Sequence, residues 1–142
     1  MPRFATLIFA VVSFCLAWSF SSAQAQSTDD AASIRETIQS QLSAMQNDDW
    51  AGAFTYASPT IQGVFKSPEA FSRMVTGGYP MVHRPKSFKV GELTDSPQGP
   101  VQVMFFEDQQ GRLFIADYLM QFVDGEWRIN GVAIRPAPEQ TV

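Results

Sequence analysis

The side chains of this sequence that could carry out acid–base chemistry form no familiar motif. His83 is the single histidine, and it lies shortly after Tyr79 and directly before Arg84. Histidine suits general acid–base catalysis because it changes charge near neutral pH, and arginine suits an anionic ligand. Tyr118 is a further candidate, since a tyrosine hydroxyl can donate to a substrate oxygen that becomes negative.

Each of these residues also has a purely structural interpretation. Tyr118 could be a core tyrosine whose hydroxyl meets a backbone group or water. His83 could have a structural or surface role, and Arg84 could pair with an acid from the first half of the chain. Residue type alone leaves both interpretations open.

The sequence predicts neither a metal site nor a bound cofactor. A single histidine without cysteine partners cannot build a usual zinc site, and no phosphate-binding glycine loop, dinucleotide fingerprint or calcium loop is present in the sequence. Ser58 and Ser67 each precede a proline, which is typical of a helix cap and not of a catalytic nucleophile.

The N-terminal segment has the pattern of a secretory signal peptide. Arg3 is followed by the apolar stretch Phe4–Phe20, and Ala23 and Ala25 supply small residues where signal peptidase requires them. We expect residues 1–25 to be cleaved off, which predicts a periplasmic or secreted protein without membrane contact after cleavage. The competing interpretation is an uncleaved membrane anchor, because the apolar stretch approaches the length of a short span.

The remainder has the composition of one conventional domain. The chain has 142 residues and a formal charge of −4, and its basic residues do not cluster, so nucleic acid is not an expected partner. Cys15, the only cysteine, leaves with the signal peptide, and the domain therefore needs an apolar core instead of disulfides. We expect a single domain over residues 26–135 and a flexible tail over residues 136–142.

The first half of this domain is predicted to be helical. The first helix, with Asp29 and Asp30 suited to its start, carries an apolar stripe at helical spacing, formed by Ile34, Ile38, Leu42 and Met45. Shorter helices are expected from Trp50 to about Ala57 and after the two serine–proline pairs, with a stop at Gly77-Gly78. The segment Tyr79–Arg84 is bounded by prolines, and we expect an edge strand or an extended linker there.

The second half is predicted to form strands. They are expected at Phe88–Leu93, Val101–Glu107, Arg112–Val123 and Glu126–Ile134. The pair Asp124-Gly125 is a strong hairpin signal, and a two-residue turn there pairs Phe122 with Trp127. A four-residue loop at 108–111 pairs Phe105 with Phe114.

This register predicts which side chains face the helices. The inner face is expected to comprise Val101, Val103, Phe105, Phe114, Ala116, Tyr118, Met120, Phe122, Trp127, Ile129 and Ala133. The opposite face holds residues such as Met104, Phe106 and Ile115, and is too apolar to be freely solvated. We expect it to meet a partner, most simply a second copy of the protein.

Several short motifs resemble a known family. They are Asp48-Asp49-Trp50-Ala51-Gly52-Ala53-Phe54, Ala57-Ser58-Pro59-Thr60-Ile61-Gln62, Ser67-Pro68-Glu69-Ala70-Phe71, Gly78-Tyr79-Pro80 with His83-Arg84-Pro85, and Asp124-Gly125-Glu126-Trp127-Arg128-Ile129-Asn130-Gly131. Together they resemble the bacterial domain-of-unknown-function family numbered 4864, and the order of helices followed by strands looks like the nuclear-transport-factor-2-like cone fold. The resemblance implies an α+β domain with helices packed on a curved antiparallel sheet of four or five strands. It implies no chemistry, because the wider superfamily includes isomerases, dehydratases and non-catalytic binding domains.

Two functional hypotheses follow. The first is an exported, non-catalytic domain that binds a small apolar or amphipathic ligand, or a partner protein, in the concavity. The residues expected to contact this ligand are Tyr79, His83, Arg84, Tyr118, Phe105, Phe114, Met120 and Trp127. The alternative is a small enzyme of the isomerase or dehydratase type that uses His83 with Tyr79 or Tyr118.

Overall fold

The protein is an α+β domain in which five helices precede four antiparallel strands. A computed structural model describes residues 23–138, with side chains from Thr28 onward. The helices are α1 (Ala23–Gln46), α2 (Trp50–Thr55), α3 (Pro59–Phe65), α4 (Pro68–Gly78) and α5 (Pro80–His83). The strands are β1 (Ser87–Ser96), β2 (Gly99–Glu107), β3 (Leu113–Val123) and β4 (Glu126–Pro136), and they form one sheet in sequence order.

Helix α1 packs on the sheet through the predicted apolar stripe. Ile34, Ile38, Leu42 and Met45 are each no more than 1% exposed. The expected start at Asp29 and Asp30 was wrong, because the helix begins at Ala23 and no acidic residue lies in its first turn. The apolar stretch expected to be the signal peptide core lies outside the described residues. No helix within residues 23–138 is long and apolar enough to cross a membrane.

Both serine–proline pairs start helices as predicted. Ser58 caps α3 by accepting a hydrogen bond from the Ile61 amide at 3.2 Å, and Ser67 caps α4 by accepting one from the Ala70 amide at 3.2 Å. Proline follows each cap at the first position of the helix, where an N–H group would have no partner within the helix. These caps fix the residues at which the two helices begin.

The segment Tyr79–Arg84 is helical, so the expected strand or extended linker was wrong. Pro80 occupies the first turn of α5, where its fixed φ favours a helix as readily as an edge strand. Val82 is buried in the core. His83 consequently lies at the end of a short helix.

The β3–β4 hairpin has the predicted turn and an unpredicted bulge. Phe122 pairs with Trp127 and Met120 pairs with Ile129, as expected, but Leu119 then pairs with Gly131. Asn130 is the extra residue, and it shifts the rest of β4 by one position. Val132 therefore faces the helices beside Tyr118, where the sequence had predicted Gly131.

The expected register between β2 and β3 was wrong by one residue. Asp108 and Arg112 close a tighter loop, since the Asp108 amide donates to the Arg112 carbonyl at 2.9 Å and Gly111 adopts φ 79°. A three-residue loop with glycine in the left-handed region is a standard hairpin connection. Phe105 therefore pairs with Ile115 instead of Phe114.

A one-residue shift moves every side chain of β2 to the other face. The face against the helices, here called the inner face, carries Gln102, Met104 and Phe106, which are all at most 1% exposed. Val101, Val103 and Phe105 instead lie on the outer face, as does Ala133 of β4. The inner face of β3 is as predicted, with Ala116, Tyr118 and Met120 in the core.

The free edge of β4 is held to the segment between α2 and α3 at the bulge. The Ser58 amide donates to the Ile129 carbonyl at 2.8 Å, and the Ile129 amide donates to the Tyr56 carbonyl at 2.9 Å. The Ser58 hydroxyl also donates to Asn130 Oδ1 at 2.7 Å. Ser58 is completely buried, so it ties the start of α3 to the residue that sets the β4 register.

We predict that Ser58→Ala lowers the free energy of unfolding more than Ser67→Ala does. Ser67→Ala removes a helix cap, which costs about 1 kcal/mol. Ser58→Ala removes a cap and leaves the Asn130 amide oxygen without its buried donor, for a total of about 2 kcal/mol or more. Urea unfolding of both variants measures the difference, and equal losses would mean that the Asn130 bond does not stabilise the fold.

Candidate functional site

A cavity of about 300 Å³ lies between the helices and the inner face of the sheet. Its wall is formed by Gln41, Met45, Ala57, Ile61, Phe65, Phe71, Met74, Val75, Tyr79, Val82, Tyr118, Ile129, Gly131 and Val132. Every helix except α2 contributes to the wall, and so do β3 and β4. The volume is at the lower end of the range found for small-molecule sites.

An aromatic cluster fixes the helices that form the roof of this cavity. The Phe71 ring of α4 lies 5.5 Å from the Phe54 ring, 6.0 Å from the Phe65 ring and 6.3 Å from the Trp50 ring. Edge-to-face and tilted pairs at these distances are favourable. The cluster joins α2, α3 and α4, and so holds Phe65 and Phe71 at the cavity wall.

Tyr118 is the most unusual residue of the wall. It is 0% exposed, and its hydroxyl has no hydrogen-bond partner among the described residues. Burial raises the pKa of this hydroxyl, so it keeps its proton and acts as a donor at physiological pH. Buried hydroxyls without a partner are uncommon in native proteins and point to a missing ligand or water.

The other polar groups of the wall already have partners. The Tyr79 hydroxyl donates to the Val132 carbonyl over a long 3.4 Å, and Gln41 Nε2 donates to the Ala53 carbonyl at 3.2 Å. These bonds hold α5 to β4 and α1 to α2. Tyr118 is therefore the wall residue whose hydrogen-bonding capacity is wholly unused.

The wall contains no acidic, basic or histidine side chain, within the part of the chain that the structure describes. It offers an apolar surface with neutral donors and no acid–base pair. Such a site can bury a hydrophobic body and orient it by a hydrogen bond. Residues 23–138 also contain no cluster of three or more side chains that could hold a metal ion.

His83 and Arg84 lie outside this cavity and pair with Asp48 in the turn after α1. His83 Nε2 is 2.9 Å from Asp48 Oδ1, and Arg84 Nη2 is 2.6 Å from Asp48 Oδ2. The hydrogen bond from His83 and the charge of Arg84 hold the pKa of Asp48 below its usual value, against a smaller opposing effect of burial. The His83 ring also packs 5.0 Å from the Trp50 ring.

This cluster fits a structural tie between the α1–α2 turn and α5. The neighbouring Asp49 caps α2 by accepting a hydrogen bond from the Gly52 amide at 3.0 Å. Asp48 has a positive φ of 56°, which turns the chain toward α5. Arg84 thus pairs with an acid from the helical half, as its structural interpretation had anticipated.

The remaining expected ligand contacts are not in the cavity wall. Phe105 lies on the outer face and is 42% exposed, a consequence of the shifted β2 register. Met120 and Trp127 belong to the core on the inner face but do not line the cavity. Phe114 shares their face of β3 and also lies outside the wall, with the Arg112 guanidinium 5.9 Å from the centre of its ring. Trp127 Nε1 donates to Asp30 of α1 at 3.3 Å.

Sequence reasoning missed the helical contribution to the wall. Phe71, Met74 and Val75 have helical apolar spacing in the sequence, but that pattern is the same for a helix that fills a core and for one that roofs a cavity. Gln41 carried the clearest signal, because a glutamine directly before Leu42 of the apolar stripe is an unusual buried residue.

Comparison with known proteins identifies a family without an assigned activity. No curated protein matches the chain. The model of the family described as Domain of unknown function (DUF4864) matches residues 27–142, which include most of α1, the other four helices and the sheet. The chain belongs to the DUF4864 family.

Proposed function

We propose that this protein is exported and that its domain binds a small apolar or amphipathic ligand in the cavity between the helices and the sheet. The observation that carries the proposal is the cavity itself, a volume of about 300 Å³ whose described wall is almost wholly apolar. An apolar ligand would fill this volume and cover the wall.

Burial of the apolar wall favours an occupied cavity. The cavity is partly open to solvent, so its apolar wall is in contact with water when no ligand is bound. A ligand that covers this wall removes apolar surface from water, which is favourable by about 25 cal/mol per Å².

The catalytic alternative draws no support from the geometry of the described residues. It requires His83 to act with Tyr79 or Tyr118 on one substrate. The two tyrosines line the cavity, but His83 is absent from its wall and bonds to Asp48 instead. A ligand in the cavity would therefore meet hydroxyl groups without a general base.

Export of the protein and its placement in a fold superfamily are further parts of the proposal. The first is supported by the sequence and the second by the order of the helices and strands. The apolar stretch and the Ala23 and Ala25 positions support a signal peptide and a periplasmic or secreted destination. The order of helices before a four-stranded antiparallel sheet supports placement in the nuclear-transport-factor-2-like superfamily.

A second copy of the protein is the partner that we propose for the outer face. Phe105 and Leu113 are 42% and 53% exposed, and the shifted register puts them on the same face as Val103, Ile115 and Leu119. The charges described on this face include the pair Asp117 and Arg135, which neutralise each other at 3.0 Å. An apolar patch with compensated charge is typical of a protein contact.

We predict that native mass spectrometry of the protein purified from the envelope or medium detects a chain that begins at Gln26 and carries a non-covalent small molecule. Val132→Phe adds bulk to the cavity wall and should abolish the adduct. Val123→Phe is the control, since it makes the same change on the same sheet outside the wall. A bare mass for the wild type, or an adduct that survives Val132→Phe, contradicts the binding proposal.

We predict a dimeric mass in sedimentation, which Leu113→Lys converts to the monomeric mass while the circular dichroism spectrum of the folded protein is unchanged. The control is Val64→Lys, which replaces another exposed apolar side chain, 65% exposed on α3. A monomeric wild type at high protein concentration would refute the dimer.

A further inference from the structure

The last strand of the sheet has a free edge next to the cavity. β4 ends the strand order, with β3 on one side and no further described strand on the other. At Ile129 this outer edge is occupied, because the Ile129 amide and carbonyl bond to Tyr56 and Ser58. Over residues 131–135, no backbone group on the outer edge has a backbone partner among residues 23–138.

The direction of these backbone groups follows from the pairing of β4 with β3. In an antiparallel pair, alternate residues direct both N–H and C=O toward the neighbouring strand, and the residues between them direct both away. The Ala137 amide donates to the Leu113 carbonyl of β3 at 3.2 Å. The Val132 carbonyl, in contrast, accepts from the Tyr79 hydroxyl at 3.4 Å. Val132 and Ile134 therefore direct their N–H and C=O groups away from β3.

This part of the edge lacks the features that usually protect exposed edge strands. Proteins protect such edges with charged side chains, bulges or prolines, because a bare edge is a template for another chain. The opposite edge strand, β1, carries Lys89 and Glu92, and its register is interrupted after Val90. Residues 131–134 of β4, in contrast, are Gly-Val-Ala-Ile and pair with β3 in a continuous register. The stretch is therefore suited to the addition of a strand.

The mouth of the cavity lies at the same edge. The cavity is partly open to solvent, and the wall residues that are only half-buried mark its open side. These residues are Ile61, Phe65, Met74, Tyr79, Gly131 and Val132. The wall residues of α1 and β3 are buried. The mouth is therefore bordered by α3, α4 and the edge of β4.

A strand added to this edge would place a side chain in the cavity. Directly paired residues of neighbouring strands have their side chains on the same face of the sheet. Val132 is on the inner face and in the cavity wall, so a residue opposite Val132 would direct its side chain into the cavity. A residue opposite Ile134 would also face inward, whereas one opposite the exposed Ala133 would face away from the helices.

We infer that an extended segment of a partner protein binds here as a further strand, pairing with residues 132–134 of β4 and inserting an apolar side chain into the cavity. In such contacts the backbone hydrogen bonds provide affinity, and the pockets for alternate side chains provide specificity. The inference rests on the proposed function in one respect, because the cavity must accept an apolar group. It goes beyond that function by assigning a role to the free edge of β4.

Titration calorimetry of the wild type with synthetic peptides tests the inference. The probe is the acetylated and amidated peptide Lys-Leu-Thr-Leu-Lys, whose leucines would lie opposite Val132 and Ile134 in either strand direction. Methylation of both leucine nitrogens removes the N–H groups that face β4 and should weaken binding at least about tenfold. The control peptide carries the same methyl groups on the nitrogens of the threonine and the last lysine. These nitrogens face away from β4, so its affinity should be nearly that of the parent peptide.

Ile134→Pro tests the same contact from the side of the protein. Proline removes the N–H that points away from β3 and leaves the pairing with β3 in place, which an edge strand tolerates. The variant should bind the parent peptide at least about tenfold more weakly, whereas Ile134→Val keeps the N–H and should bind nearly as tightly as the wild type. In the wild type, saturating peptide should also slow hydrogen exchange of the Val132 and Ile134 amides, which requires no variant to fold.

The possible results separate the inference from the function on which it rests. If the two methylated peptides bind equally tightly, or if the Val132 and Ile134 amides gain no protection, no strand is added and the inference is wrong. If butylbenzene binds to the wild type and the parent peptide does not, the inference is wrong although binding of small ligands stands. If neither binds, the proposed binding function fails as well.

Discussion

One extra residue in β4 determines which side chains face the cavity. Asn130 forms a bulge between the pairs Met120–Ile129 and Leu119–Gly131, and Ser58 holds its side chain at 2.7 Å. Without the bulge, the strand beyond it would turn Gly131 and Ala133 inward, and Val132 would face away from the helices. The buried contact between Ser58 and Asn130 therefore determines both the part of the cavity wall that β4 supplies and the start of α3.

The cavity results from a helical layer that is anchored at its margins and open at its centre. Ser58 anchors α3 to β4, Asp48 ties the α1–α2 turn to α5, and the Phe71 cluster joins the middle helices. These contacts surround a region where the protein leaves about 300 Å³ unfilled. The arrangement is what a binding site requires, because the wall is positioned by contacts that do not involve the ligand.

The sequence predicted the elements well because their signals are local. Capping serines, the apolar stripe of α1 and the Asp124-Gly125 turn each act over a few residues, and each was found where expected.

The faces of β2 and of the end of β4 were predicted wrongly, because each depends on one residue more or less in a loop or bulge. The Gly111 loop is closed by hydrogen bonds of Asp108 with Gly111 and Arg112, and the Asn130 bulge is held by a tertiary contact with Ser58. A cavity is harder still to predict, since Phe71 or Val75 has the same pattern whether it fills a space or borders one. Tyr118 was identified, and its orphaned hydroxyl emerged only when the packing around it was known.

The central claim is that the protein leaves the Tyr118 hydroxyl without a partner, and the free energy of unfolding of ligand-free Tyr118→Phe tests it most directly. Removing an unsatisfied buried hydroxyl should stabilise the protein by about 1 kcal/mol or more at pH 7. The parallel variant Tyr79→Phe loses a bonded hydroxyl and should be destabilised by about 0.5–1.5 kcal/mol. If Tyr118→Phe is instead less stable than the wild type, the hydroxyl has a partner in the free protein and the claim is wrong.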